Sequence, residues 1–314
     1  MIKNNVNEGI ETVNKRTSKV ITGWSCDSGM GVNTFLRAAA TETASRGIRT
    51  ALVELDLFHA STAYSMGMSH PTRNLETWIS KNQEGEDYRD VKDFLLNSNI
   101  WSHEKYDDSR QMQDVVAELP QDLFLLTPSQ NLDRFFAGSL KLKHDMPAFI
   151  IDSLDKLGFQ AIFIDVPSEL LMAVTPASLK LADEVVVLID GQVAHCMYTA
   201  KELNRLSREI ENDRIKLVLN RTPQPLVKVI EKLMEREVFT ILPEDPTMAE
   251  RSLDLLQGGG DDFNSAVSTF IDNVGFPKKK KTAAKESPFE ESREGKENGV
   301  KGITRRLFRF TKRV

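Results

Sequence analysis

Six short runs along the chain are almost continuously apolar: KVITGW from Lys19, TALVELD from Thr50, LFLLTP from Leu123, AIFIDVP from Ala161, EVVVLID from Glu184 and IKLVLN from Ile215. They are rich in Val, Ile and Leu and lack the alternation of a half-exposed strand, which suits strands covered on both faces. Amphipathic stretches with helical spacing stand between several of them: NTFLRAAATETASRG, MPAFIIDSLDKLG, AHCMYTAKELNRLSREI and PLVKVIEKLMERE. This alternation predicts an α/β fold, a doubly wound, mostly parallel sheet flanked by helices. The polar section over residues 69–120, with KNQEGEDYRD and SHEKYDDSR, reads as helices and a loop inserted at the rim.

The first run leads into SCDSGMGVNT, residues 25–34, and then into a helix. A glycine-bearing turn between strand and helix aims backbone N–H groups at a phosphate. This one carries no lysine.

Composition narrows the choices further. With 314 residues, 40% hydrophobic and 28% charged, the chain can bury one large core or two smaller ones. It has no apolar run long enough to span a bilayer, and its polar first residues lack the apolar centre of a signal peptide, so a cytoplasmic location is expected. Cys26 and Cys196 stand far apart without CxxC or Cys/His spacing, and no metal site is expected from them. Residues 277–314 hold thirteen Lys/Arg and five Glu, net +8, against net −13 for residues 1–276. The acidic body weighs against nucleic acid as the main partner, because phosphate neutralisation needs a basic face.

Set beside SGKGGVGKTT, the loop of the ParA/MinD-type deviant Walker A ATPases, residues 25–34 keep Ser25, Gly29, Gly31 and Thr34. The signature lysine falls on Asp27, the Walker lysine on Val32 and the magnesium Ser/Thr on Asn33. The flanking text resembles the same family in order and spacing. TALVELD resembles the strand of paired acids, with Glu54 and Asp56. AIFIDVP resembles the Walker B strand, which implies that Asp165 holds the magnesium water. IKLVLNR resembles the strand whose asparagine, here Asn220, contacts the adenine edge, and ILPEDP resembles the turn that follows. Locally, Asp165 also reads as a capping carboxylate and Asn220-Arg221 as a turn. The resemblance extends over residues 18–268, and LPQDLFLLTPSQNLDRF is similar to a strand of the CpaE/TadZ group, which positions pilus machinery.

The resemblance implies a P-loop NTPase-like domain over residues 18–276. Its candidate nucleotide-binding residues are Gly29, Met30, Gly31, Val32, Asn33, Thr34, Asn220 and Arg221, with Glu54, Asp56 and Asp165 as degenerate catalytic candidates. Loss of one charge-assisted contact costs about 1.5–3 kcal/mol, at least a tenfold drop in triphosphate affinity, and turnover suffers more because no cation offsets the developing charge. The expectation is a pseudo-ATPase that binds ATP or ADP weakly or not at all, with magnesium doubtful. Without its signature lysine the family's nucleotide-gated dimer loses its clasp, which favours a constitutive homodimer or a monomer held by another protein. An active ATPase that cycles on and off the membrane and a ParA-like DNA-partition protein remain the alternatives.

A flexible N-terminus is expected over residues 1–17 and a charged, disordered linker over residues 277–299. Residues 300–314, VKGITRRLFRFTKRV, place Ile303, Leu307, Phe310 and Val314 on one helical stripe with Phe308 at its edge. Lys301, Arg305, Arg306, Arg309, Lys312 and Arg313 cover the other side with no acid among them. That is the pattern of an amphipathic helix lying on an anionic membrane, here the inner face of the cytoplasmic membrane; a partner's acidic groove is the other reading. The function expected is a membrane-associated scaffold that recruits pilus, secretion or division machinery.

Overall fold

The apolar runs become strands of a single parallel sheet in the computed structural model, which describes residues 16–83, 88–104 and 109–278. In chain order β1 (Lys19–Trp24) leads to α1 (Val32–Ser45), and β2 (Thr50–Glu54) to α2 (Thr62–Met66), α3 (Leu75–Gln83), α4 (Ser98–Glu104) and α5 (Arg110–Ala117). Then come β3 (Leu123–Leu126), α6 (Arg134–Ser139), α7 (Met146–Lys156), β4 (Ala161–Asp165), α8 (Val174–Leu181), β5 (Glu184–Ile189) and α9 (Val193–Leu206). The chain continues through β6 (Ile215–Asn220), α10 (Val227–Met234), β7 (Val238–Leu242), α11 (Met248–Leu253) and α12 (Asp261–Asn273).

Among the described residues the sheet has seven strands in the order β3-β2-β4-β1-β5-β6-β7, each pair parallel. From β1 the chain moves outward to β2 and β3, returns to insert β4 between β2 and β1, then builds β5 to β7 on the other side. That reversal places the carboxyl ends of β1, β2 and β4 together, where open α/β sheets bind ligands.

Both faces are covered, which is why the strands read as unbroken apolar runs. Val185, Val187 and Ile189 pack into one cluster with Leu154 of α7, Leu179 of α8, Leu203 of α9 and Ile230 of α10. Val186 and Leu188 point the other way, into a cluster with Phe35 and Leu36 of α1 and Phe270 of α12. The Phe35 and Phe270 rings meet edge to face at 5.0 Å. Close approach of α1 to the sheet depends on Gly23, where a Cβ would lie 2.7 Å from Leu36 Cδ1. Alanine-rich sequence favours α1, and Gly47, with φ of 75°, ends it.

Two features differ from the sequence reading. The seventh strand, β7, continues directly from α10, whose end is set by Glu235 in the left-handed region at φ of 51°, a position usually given to glycine. Residues 69–120, expected at the rim, also build core: Trp78, Phe94 and Leu95 join the first cluster, Leu96 and Trp101 the second, and Leu96 bridges antiparallel to Leu125 of β3. Single apolar residues spaced among charged ones anchor this segment without giving it an apolar run. The candidate membrane residues Ile303 to Arg313 lie outside the described residues, and no helix among those described is long and apolar enough to cross a membrane.

Candidate functional site

The turn between β1 and α1 has the backbone of an anion loop. Gly29 and Gly31 both take positive φ, 80° and 97°, and Gly31 is the N-cap of α1. Part of the loop is nevertheless engaged by the protein itself. Asp27 accepts a hydrogen bond from the Ser28 N–H through Oδ1 at 2.7 Å, so a carboxylate of the chain occupies one loop donor. Asn220 Nδ2 donates to the Met30 carbonyl at 2.8 Å, and an Arg221 guanidinium N–H donates to the Gly29 carbonyl at 3.1 Å. The amide of Asn220 fills the space above Gly31, where a Cβ would come within 2.4 Å of Nδ2. Val32, at the Walker lysine position, is buried and packs in the α1 cluster.

Three acids converge beyond this loop. Glu54 and Asp165 are register neighbours at the ends of β2 and β4, and Asp56 follows two residues after Glu54. Asn33, on the first turn of α1, points its amide between them. Nδ2 donates to Glu54 Oε1 at 2.5 Å, to Asp165 Oδ2 at 3.0 Å and to Thr62 Oγ1 at 3.1 Å. Its Oδ1 is buried with no partner among the described residues. Glu54 also accepts from the backbone N–H groups of Ser61 and Thr62 at the start of α2.

Burial outweighs these bonds and pushes the Glu54 carboxyl up to about 7. Asp165 is raised well above the carboxylate range, by burial first and by the neighbouring Glu54 charge second. Asp56 is turned away from the pair: Oδ1 accepts from the Phe58 and His59 N–H groups, and Oδ2 lies 3.0 Å from His59 Nδ1. Arg37, one turn along α1 from Asn33, is the nearby cation. Burial lowers its pKa while Glu54 and Asp165 hold it up.

A second polar group sits across the loop. His195 on α9 holds Asp190 Oδ1 at 2.7 Å through Nδ1, and its Nε2 is 4.0 Å from Asp27 Oδ2. Burial pushes Asp190 up, yet the His195 bond and the Gln192 N–H carry it below the usual carboxylate value.

The structure thus brings Gly29, Met30, Gly31, Val32, Asn33, Asn220, Arg221, Glu54 and Asp165 to one place, the carboxyl end of the sheet. Thr34 faces sideways toward α11, contacting Arg37 through its hydroxyl. Sequence reasoning missed Thr62, Arg37 and the Asp190–His195 pair. A basic residue within the small-residue run FLRAAA was the one available signal for Arg37.

A magnesium nucleotide does not fit these residues. The cation's place among Thr62, Glu54 and Asp165 is taken by a neutral amide whose two N–H groups face one oxygen of each. The phosphate side offers Asp27 in place of a lysine, and the asparagine expected at the adenine is bonded to the loop.

Fold and sheet order define the class: this is the P-loop fold of the ParA and MinD ATPases. The chain is similar to the cell division ATPase MinD of Pyrococcus furiosus, with a TM-score of 0.61 and 18% identity over 82% of this chain and 99% of that one. It is similar to the septum site-determining protein MinD of Pyrococcus horikoshii complexed with Mg-ADP, at a TM-score of 0.61 and 16% identity, covering 82% and 98% of the two chains. A ParA family ATPase of Chlorobium tepidum gives 0.58 and 16%, covering 80% and 97%. Identities this low establish the fold. No protein-family model and no curated protein sequence matches the chain.

Proposed function

We propose that the protein is a non-hydrolysing relative of the MinD and ParA ATPases that works as a spatial scaffold, held at an anionic membrane and recruiting a protein partner. The observation that carries the first half is Asn33, whose amide joins Glu54, Asp165 and Thr62 where a hydrolysing P-loop protein needs a divalent cation. The second half rests on two features. The basic, amphipathic sequence of residues 300–314 suits the inner face of the cytoplasmic membrane. Apolar side chains also stand exposed around the loop end of the sheet: Leu171 after β4 is 99% exposed and Phe135 on α6 is 94% exposed, with Met197 and Tyr198 on α9. Such a rim favours a protein partner, a second copy of this chain included. Solved relatives of this fold are cell division and ParA family ATPases, which is why placement of division, secretion or pilus machinery is the role proposed.

The test is ATP turnover by the purified full chain with magnesium, beside Asp56→Ala. Both are expected to release phosphate at the background rate. Turnover by the wild type that Asp56→Ala abolishes would overturn the reading.

A further inference from the structure

Arg37 carries more donors than its surroundings accept. A guanidinium has five N–H groups in a fixed fork. Those of Arg37 make two long contacts, Nε to the Asn33 carbonyl at 3.4 Å and Nη2 to Thr34 Oγ1 at 3.5 Å. Among the described residues no carboxylate forms an ion pair with it. The two acids whose charge it feels, Glu54 and Asp165, are engaged by Asn33, and Glu54 also by the start of α2. Arg37 is half-buried, and any of its N–H groups that are out of reach of water and lack an acceptor carry a cost.

What faces Arg37 is a cavity of about 50 Å³ between α1, α2 and the segment through and just after α11. Its wall carries the hydroxyls of Thr34, Ser65 and Ser252 and the side-chain amide of Gln257, and none of the residues lining it is acidic. No bond to an acceptor among the described residues uses the Ser65, Ser252 or Thr34 hydroxyl as donor. Gln257 is fixed in place by bonds from Nε2 to the Ser65 and Leu255 carbonyls at 2.7 and 2.9 Å. One guanidinium and three hydroxyl donors around a small, partly open pocket, with no acid in its wall, offer donors to an anion and no carboxylate to a cation. The volume takes roughly three or four water positions, comparable to the oxygens of one tetrahedral oxyanion.

We propose that this cavity is an oxyanion site, in which Arg37, Thr34, Ser65 and Ser252 hold inorganic phosphate or the terminal phosphate of a small phosphomonoester. Guanidinium bonds to phosphate are charge-assisted and can be bidentate, and the hydroxyls supply the remaining donors. The site needs no magnesium and no lysine in the glycine loop, so it stands whether or not nucleotide is held there. Occupancy would tie α1 to α2 and to the α11 segment, the elements that carry Asn33 and Thr62.

The experiment is calorimetric titration of the full chain with inorganic phosphate and, separately, with glycerol phosphate, in a chloride buffer without nucleotide. Saturable binding is expected, weakened at least about tenfold by Arg37→Met, since a hydrogen bond to a charged group is worth that much or more. Ser252→Asp, which adds a carboxylate to the wall at an exposed position whose side chain makes no hydrogen bond among the described residues, is expected to abolish it; this variant carries the test where Arg37→Met does not fold. The basic tail is common to all variants, so binding that survives both substitutions belongs to the tail and overturns the proposal. Absence of binding by the wild type at millimolar phosphate overturns it equally. Binding of phosphate alone identifies the free ion as the ligand, and tighter binding of the monoester identifies the esterified group; each supports the site.

Discussion

Replacing Asn33 by aspartate keeps the shape of the side chain and reverses its chemistry. The two N–H groups of the amide are shared among three oxygens, those of the Glu54 and Asp165 carboxyl groups at 2.5 and 3.0 Å and Thr62 Oγ1 at 3.1 Å. Both carboxyl groups have raised pKa values, so each bond is worth about 1 kcal/mol where its carboxyl is neutral and about 1.5–3 kcal/mol where it is charged; the variant forfeits about 2–6 kcal/mol and adds a third acid to a buried cluster. A domain of ordinary stability, about 5–15 kcal/mol, survives this with little margin. The added carboxyl is buried beside two others, so its folded pKa is raised and its destabilisation grows as pH rises. The assay is urea denaturation followed by circular dichroism at about pH 5.5 and about pH 8. A loss of at least about 3 kcal/mol is expected at the higher pH, shrinking at the lower, where protonated carboxyls can donate in place of the amide. Millimolar magnesium is expected to raise the midpoint of Asn33→Asp and to leave the wild type unchanged. A loss below about 1 kcal/mol at both pH values would refute the account of Asn33 as the group that holds the acids together.

Other outcomes follow from the same geometry. Glu54 has a folded value of about 7 against an ordinary 4.5, so the folded state binds its proton more tightly; its contribution is full below about 4.5 and is lost as pH rises toward 7, about 3 kcal/mol in all. Glu54→Gln is expected to flatten the dependence of the urea midpoint on pH in that window, and an unchanged slope would count against it. Gly31→Ala puts a Cβ at φ of 97° and 2.4 Å from Asn220 Nδ2, and is expected to cost about 2 kcal/mol or more by thermal denaturation. The same substitution in an Asn220→Ala background is expected to cost less, since the clash is gone; strict additivity would show that the two side chains do not compete. Leu307→Glu is expected to weaken co-sedimentation with anionic vesicles at least about tenfold, and wild-type binding is expected to be the same with and without Mg-ATP. An ATP-dependent shift would restore the cycling ATPase as the better reading.

The sheet was legible wherever burial on both faces made a strand unbroken in its apolar character. β7 was not, because its first four residues are only partly buried and it follows α10 across Glu235, whose left-handed backbone no glycine announces. The core role of residues 69–120 was hidden for a related reason: Trp78 and Trp101 are anchors spaced among charged residues, and periodicity registers runs rather than anchors. At the site, the missing lysines could be read directly as Asp27 and Val32. The part played by Asn33 could not, because its three acceptors come from β2, α2 and β4 and meet only when the strand order places β4 beside β2. Arg37 escaped for the opposite reason, since what distinguishes it is the lack of close partners, among the described residues, around a half-buried charge.

A switch needs two states and a ligand that tells them apart. In this chain the groups that would sense a nucleotide are bonded to one another: Asn33 to the acids, Asn220 to the Met30 carbonyl, Arg221 to the Gly29 carbonyl. Each bond would have to break before a nucleotide gained the same group, so the ligand's binding free energy is reduced by what the closed arrangement already holds. With hydrogen bonds contributing about 1 kcal/mol each when neutral and about 1.5–3 when one partner is charged, the closed arrangement is favoured by several kcal/mol before the lost lysine contacts are counted. A nucleotide that binds weakly to both arrangements moves the balance between them very little. Under the proposed function, the exposed apolar rim and the basic tail would then engage their partners without waiting on a nucleotide signal.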